Sequence, residues 1–337
     1  MEQTPQPAIS QTEIEAAAAG IPAVFRNSPQ FACESLGQRL GQVVLCKVET
    51  VNPIGCFKGR GSWWALSRLV KDGKVGQGRD VITASSGNFG LGLAYAGREL
   101  EVGVTVVVSR SANAAKIDRL RALGAEVVVV ADTETPRESV YATAEARGLE
   151  VVLDGTGTST VTGAATIALE VAGGVKRGEI PRPDAVYVPV GAGSLIAGIG
   201  SGLRRSLPGT RIVGVQAEGA PAMTISWREQ SVVEVESPGT YADGIDFNKP
   251  DAEMVRLMAA VVDDMVLVSD EQLRAAQREL TQDLGVTVEA AGAAGWAGLR
   301  SRPADGPAMI IITGANVWPG EITWSAPSAG PSGVSGL

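Results

Sequence analysis

Runs of Val and Ile alternate with helix-length stretches along most of this chain, and that alternation restricts the fold more than any other feature. VVLCKVE (43–49), DVITA (80–84), VGVTVVVS (102–109), AEVVVV (125–130), AVYVPV (185–190), RIVGVQAE (211–218) and PAMIIIT (307–313) read as strands. Several are continuous apolar runs, as required of strands buried on both faces of a parallel sheet. Between them lie helical patterns at 61–72, 88–100, 113–124, 135–148 and 158–174, with Ser or Thr near several starts and Gly near several ends. Such a series predicts an α/β fold with helices on both sheet faces. At 337 residues the chain is long enough for about two domains.

Composition removes whole classes of chemistry. The chain contains no histidine, so no Ser-His-Asp or Cys-His nucleophile, no HExxH zinc site and no imidazole proton shuttle is available. Acid, base and nucleophile must come from other side chains or from a cofactor. Three cysteines (Cys33, Cys46, Cys56) without a CxxC pair predict no metal centre. The balance of 29 basic against 37 acidic residues gives −8, which argues against a nucleic-acid partner. No stretch has the roughly 18 uninterrupted apolar residues of a membrane span, and the N-terminal residues lack a basic, apolar leader. A cytoplasmic enzyme without membrane contact is expected.

Four segments at strand ends could carry chemistry. Asn52-Pro53-Ile54-Gly55-Cys56-Phe57-Lys58-Gly59-Arg60-Gly61 places one of only seven lysines in an otherwise uncharged turn. Partial desolvation there favours a neutral, nucleophilic amine; the plainer alternative is a lysine in solvent. Thr83-Ala84-Ser85-Ser86-Gly87-Asn88-Phe89-Gly90 offers hydroxyls, an amide and free N–H groups at a helix start, suited to an anion or simply to a helix cap. Val190-Gly191-Ala192-Gly193-Ser194-Leu195-Ile196-Ala197-Gly198 fits a phosphate cradle. It fits a dinucleotide fingerprint less well, because Ile196 stands where the third glycine belongs, although Glu218 ends the next strand. Thr313-Gly314-Ala315-Asn316 puts a hydroxyl at the carboxyl end of a buried strand, where α/β folds bind ligands, or makes a plain turn.

In this order the four segments resemble the fold type II pyridoxal-phosphate enzymes, and the FKGRG form with Tyr241-Ala242-Asp243-Gly244 resembles the serine/threonine dehydratases among them. The resemblance spans roughly residues 25–320 and implies two open, twisted, mostly parallel sheets with pyridoxal 5′-phosphate in the cleft between domains. It implies an N-terminal extension (1–24), a large cofactor-binding domain (25–75 and 157–324), a small domain (76–156), a mobile tail (325–337) and a homodimer. By the same likeness Lys58 forms the Schiff base and then takes the Cα proton, with Phe57 beside the ring. Ser85, Ser86, Gly87, Asn88 and Phe89 would hold the substrate carboxylate, Asn88 would also bond the cofactor 3-hydroxyl, and Ser86 matches the second acid/base of related racemases. Gly191, Ala192, Gly193 and Ser194 would bind the phosphate, Thr313 would meet the pyridine nitrogen, and Asp243, Gly244 and Glu289 would surround the ring.

A neutral hydroxyl at Thr313 cannot hold a pyridinium as a carboxylate would, which weakens the electron sink and suits a substrate whose β-substituent leaves promptly. The resemblance implies that the cofactor phosphate supplies the acid for a departing hydroxide. The chain departs from the family at Cys56 (commonly Ser), Phe89 (often His) and Ala192, which interrupts the glycine loop. The family's cation site maps to Glu218, Ala222 and Thr224, so no divalent ion is expected. The leading expectation is an ammonia-lyase (dehydratase) that performs α,β-elimination on a small β-hydroxy amino acid such as threonine or serine. The alternatives are β-replacement or racemisation in the same fold, and a nicotinamide-binding protein using the GAGSLIAG loop.

Overall fold

A computed structural model describes residues 9–322 apart from 86, 111, 113, 132–135, 237, 238, 319 and 320. In chain order the first elements are α1 (Gln11–Gly20), β1 (Gln30–Ala32), α2 (Glu34–Leu40), β2 (Val44–Val48), α3 (Lys58–Lys71), β3 (Val81–Ala84), α4 (Asn88–Leu100) and β4 (Val104–Ser109). There follow α5 (Ala114–Ala122), β5 (Glu126–Val130), α6 (Pro136–Arg147), β6 (Glu150–Val151), α7 (Ser159–Lys176), β7 (Ala185–Pro189) and α8 (Ser194–Ser206). The last are β8 (Arg211–Ala217), α9 (Ala222–Glu229), α10 (Ala252–Val261), β9 (Asp264–Val268), α11 (Asp270–Leu284), α12 (Ala294–Ser301) and β10 (Ala308–Ile312).

The strands form two sheets. One has six strands in the order β1-β2-β10-β7-β8-β9 and the other four in the order β5-β4-β3-β6. Every pairing is parallel except β1 with β2. Each sheet is covered on both faces, as its Val and Ile runs demand. On the six-stranded sheet Leu45, Val186, Val188, Met309 and Ile311 pack under α7, α8 and α10, while Val44, Cys46, Tyr187, Ile310 and Ile312 pack under α11 and α12. On the four-stranded sheet Val81, Val104, Val106 and Val108 face α4, and Ile82, Val107 and Val130 face α6.

Among the described residues three helix starts use side-chain caps: Ser10 before α1 and Ser269 before α11 form reciprocal capping boxes, and the Asp251 carboxylate before α10 accepts from Glu253 N and Met254 N. Thr158, at the N-cap position of α7, makes no side-chain cap bond. The N-terminal segment carries α1, which buries Ile14 and Ala17; residues 1–8 and the tail 325–337 lie outside the described residues.

The helix expected from Gly61 begins three residues earlier, so Lys58 opens α3 instead of sitting in the preceding turn. Arg60 fixes this first turn. It is fully buried and bonds Glu49 at 2.8 and 2.9 Å and Glu170 at 2.7 and 3.0 Å. Lys47 Nζ joins the cluster at 2.6 Å from Glu170. Buried charges are tolerated here because each has an opposite partner and further hydrogen bonds. Among the described residues no helix is long and apolar enough to cross a membrane.

Candidate active site

Strand ends, not helix faces, build the site. The loop after β2 is folded by Asn52, whose amide donates to the Glu49 and Cys56 carbonyls at 2.9 and 3.0 Å while its oxygen accepts from Ile54 N at 3.1 Å. This loop zips onto the segment after β10: Phe57 N donates to Thr313 O at 3.0 Å and Ala315 N to Gly55 O at 2.8 Å. Thr313 and Lys58, far apart in sequence, thereby line one cavity of about 320 Å³, within the range of small-molecule sites.

Ser85, Gly87, Asn88 and Phe89 reach the same cavity from the end of β3 and the start of α4. Gly191, Ala192, Gly193 and Ser194 reach it from the end of β7 and the start of α8, and Phe57, Gly244 and Glu289 complete the set expected from the sequence. Ser86, expected in the same loop, lies outside the described residues.

The glycine loop is shaped for close approach. Gly193 caps α8 with φ +95°, a left-handed conformation, and no side chain occupies the cap position. A Cβ on Gly191 would stand 2.7 Å from the Gly244 carbonyl oxygen. The first turn of α8 therefore presents its N–H groups and the positive end of its dipole to the cavity.

Asn88 is held from two sides. Its amide donates to Glu289 Oε1 at 2.7 Å, and its oxygen accepts from Asn316 Nδ2 at 2.6 Å. Asn316 N donates to Glu289 Oε2 at 3.0 Å, and Arg119 donates to Asn316 Oδ1 at 2.5 Å. Burial, then the nearby Asp243 carboxylate, push the Glu289 carboxyl up to about 7. Asp243 itself is ion-paired with Lys116 of α5.

Several lining groups escaped the sequence reading. The turn around Lys58 has no local acidic group, but Asp154, 96 residues on, puts Oδ2 2.6 Å from Lys58 Nζ. Lys58 is largely buried, and its carboxylate partner is a long-range contact that local composition does not contain. Asp154 follows the end of β6, and its place at a strand's carboxyl end was the available signal. Lys116, Arg137, Asp246 and Phe247 also line the cavity. Glu218, the acid of the dinucleotide reading, is exposed at the end of β8 and is not among the lining residues.

Known proteins place this arrangement. Residues 21–314 match the family described as pyridoxal-phosphate dependent enzyme. The chain is 31% identical over 285 residues to an L-threonine ammonia-lyase of Thermotoga maritima, covering 84% of this chain and 69% of that protein. It is 30% identical to a catabolic L-threonine dehydratase of Staphylococcus aureus, covering 92% of this chain and 89% of that one. Its fold superposes on the processed form of threonine deaminase isoform 2 from Solanum lycopersicum with a TM-score of 0.82 at 27% identity, over 94% of this chain and 88% of that one. With this fold and these relatives, the chain belongs to the pyridoxal-phosphate dependent enzymes of fold type II and is a lyase of the serine/threonine dehydratase type.

Proposed function

We propose that the protein converts a small β-hydroxy amino acid, threonine or serine, to the 2-oxo acid and ammonia: α,β-elimination expels the Cα proton and the β-hydroxyl as water, and one water then hydrolyses the resulting imine to release ammonia. The observation that carries this reading is the meeting of Lys58, the Gly191–Ser194 loop, Asn88 and Thr313 in one cavity. The residues fit the cofactor: a cradle that a Cβ at Gly191 would fill, an uncapped helix start for a phosphate, and an amine within the same cavity. When bound, pyridoxal 5′-phosphate supplies an electron sink for the pair released at Cα.

The remaining roles belong to the chain. Lys58 would hold the cofactor through its aldehyde and, as a free amine, would take the Cα proton. The N–H groups of Gly191, Ala192, Gly193 and Ser194 receive the phosphate. Thr313 would offer the pyridine nitrogen a neutral hydroxyl, and Phe57 would pack beside the ring. Asn88 has one N–H on Glu289 and one left for the cofactor 3-hydroxyl. Ser85, Ser86, Asn88 and the N–H groups of Gly87 and Phe89 would bind the substrate carboxylate, with Gly244 and Glu289 around the cofactor ring. We assign residues 76–156 as the small domain and 25–75 with 157–324 as the large one, so that carboxylate loop and phosphate loop lie on opposite walls of a cleft.

The test is Lys58→Ala. The variant is expected to lose both the yellow absorbance of the bonded cofactor and the release of ammonia and 2-oxo acid from threonine and serine. A variant that keeps both would sink the reading.

A further inference from the structure

Asp154 joins two parts of the site. Oδ2 accepts from Lys58 Nζ at 2.6 Å, and Oδ1 accepts from Ser194 Oγ at 3.5 Å. Ser194 is the first residue of α8, so this carboxylate stands at the glycine loop, in the place that the reading above gives to the cofactor phosphate. The inference rests on that reading.

The charge balance around Asp154 is unusual. A phosphate monoester loses its second proton near pH 6, so it enters a neutral solution mostly as a dianion. The cation that now answers Asp154 is Lys58, and Lys58 leaves that pairing when its nitrogen bonds the cofactor aldehyde. The other charged groups lining the cavity are Lys116 from α5, Arg137 from α6, Asp243, Asp246 and Glu289. Lys116 is engaged by Asp243. Asp246 adds negative charge, and Glu289 is half-neutral near pH 7. Arg137 and the start of α8 offer about one and a half positive charges against a carboxylate and a dianion. Two anions at one helix start lower their mutual repulsion most simply by sharing a proton.

We propose that Asp154 keeps one proton on the cofactor phosphate at neutral pH, so that the glycine loop stores an acid in a chain that has no histidine. The proton comes from solvent hydronium or a buffer acid as the cofactor enters: one O–H bond breaks in the donor and one forms on the phosphate. Asp154 is a positioning residue in this scheme, since it acts through the phosphate.

Phosphorus-31 resonance of the holoenzyme between about pH 5.5 and about pH 9 reads the phosphate directly, with free pyridoxal 5′-phosphate as reference. In the wild type the titration midpoint is expected about one unit or more above the free cofactor, a tenfold gain in proton affinity. Asp154→Asn is expected to return it to the free value, Asp154→Glu to keep it raised, and Arg137→Met to leave it raised or lift it further. A wild-type phosphate that titrates like the free cofactor, or stays a dianion throughout, overturns the proposal even if Asp154→Asn binds no cofactor. Equal midpoints in the wild type and Asp154→Asn overturn it as well. A wild-type protein that takes up no cofactor phosphorus would instead defeat the functional reading on which the proposal stands.

Discussion

The Asn88 amide, at the head of a helix on the four-stranded sheet, donates at 2.7 Å to a Glu289 carboxyl that belongs to the six-stranded side and is almost wholly buried. The contact ties the two walls of the cleft together. It also makes a titrating group part of that tie.

Glu289 gives the apoenzyme a pH-dependent stability whose sign follows from its raised value. Between about 4.5 unfolded and about 7 folded, the folded chain keeps a proton that the unfolded chain releases. Stability therefore falls as pH rises through that window, by roughly 3 kcal/mol in all. Urea midpoints measured from pH 5 to pH 8 are expected to decline in the wild type and to decline less in Glu289→Gln.

Asp243→Asn acts on the same titration from a distance. Removing that charge lowers the Glu289 value, and Lys116, freed of its partner, lowers it further. The decline in stability is expected to end at lower pH than in the wild type. The same urea series checks this; an unchanged window would show that burial alone sets the Glu289 carboxyl.

Gly193→Ala should cost the cofactor more than the fold. The left-handed backbone at φ +95° disfavours a side chain by about 1–2 kcal/mol. The new Cβ would also meet Met254 Cγ at 2.7 Å and Met258 Sδ at 2.8 Å. Relief by shifting the loop would move the N–H groups of the cradle. Equilibrium dialysis is expected to show cofactor affinity reduced by about tenfold or more, with a modest loss of thermal stability.

Arg60→Met tests the base of α3. Truncation leaves Glu49 and Glu170 facing each other in the interior with only Lys47 as counter-charge. Breaking such a cluster costs about 3–5 kcal/mol. Denaturant unfolding is expected to show that loss at pH 7, and less of it in the double variant Arg60→Met with Glu170→Gln.

Seven strands could be read from the chain to within about two residues, because runs such as VTVVVS and AMIII are buried on both faces and cannot serve otherwise. Three strands could not. β1 is a three-residue edge with Phe31 exposed, β6 has two residues, and β9 is a short run between acids. The site divides in the same way. Lys58, Asn88, Gly193 and Thr313 announce themselves by local chemistry at strand ends. Asp154 and Arg137 matter only through what they face, and that depends on how two sheets meet. Asn316 sits in a motif that was recognised, yet its grip on Asn88 spans 228 positions and has no local signature.

The place of β10 has a consequence for how the polypeptide matures. The last strand among the described residues lies third in its sheet, between β2 and β7. Until it is inserted, the amino-terminal hairpin has no partner in the rest of that sheet, and Thr313 cannot draw Phe57 and Lys58 into place. At the usual pace of about 5–20 residues per second, a ribosome would hold an unclosed sheet, with apolar edges exposed, until residues 308–312 emerge. Cofactor capture is thus coupled to completion of the sheet: a nascent chain stalled before β10 would have its lysine and its glycine loop, and no cleft in which to join them.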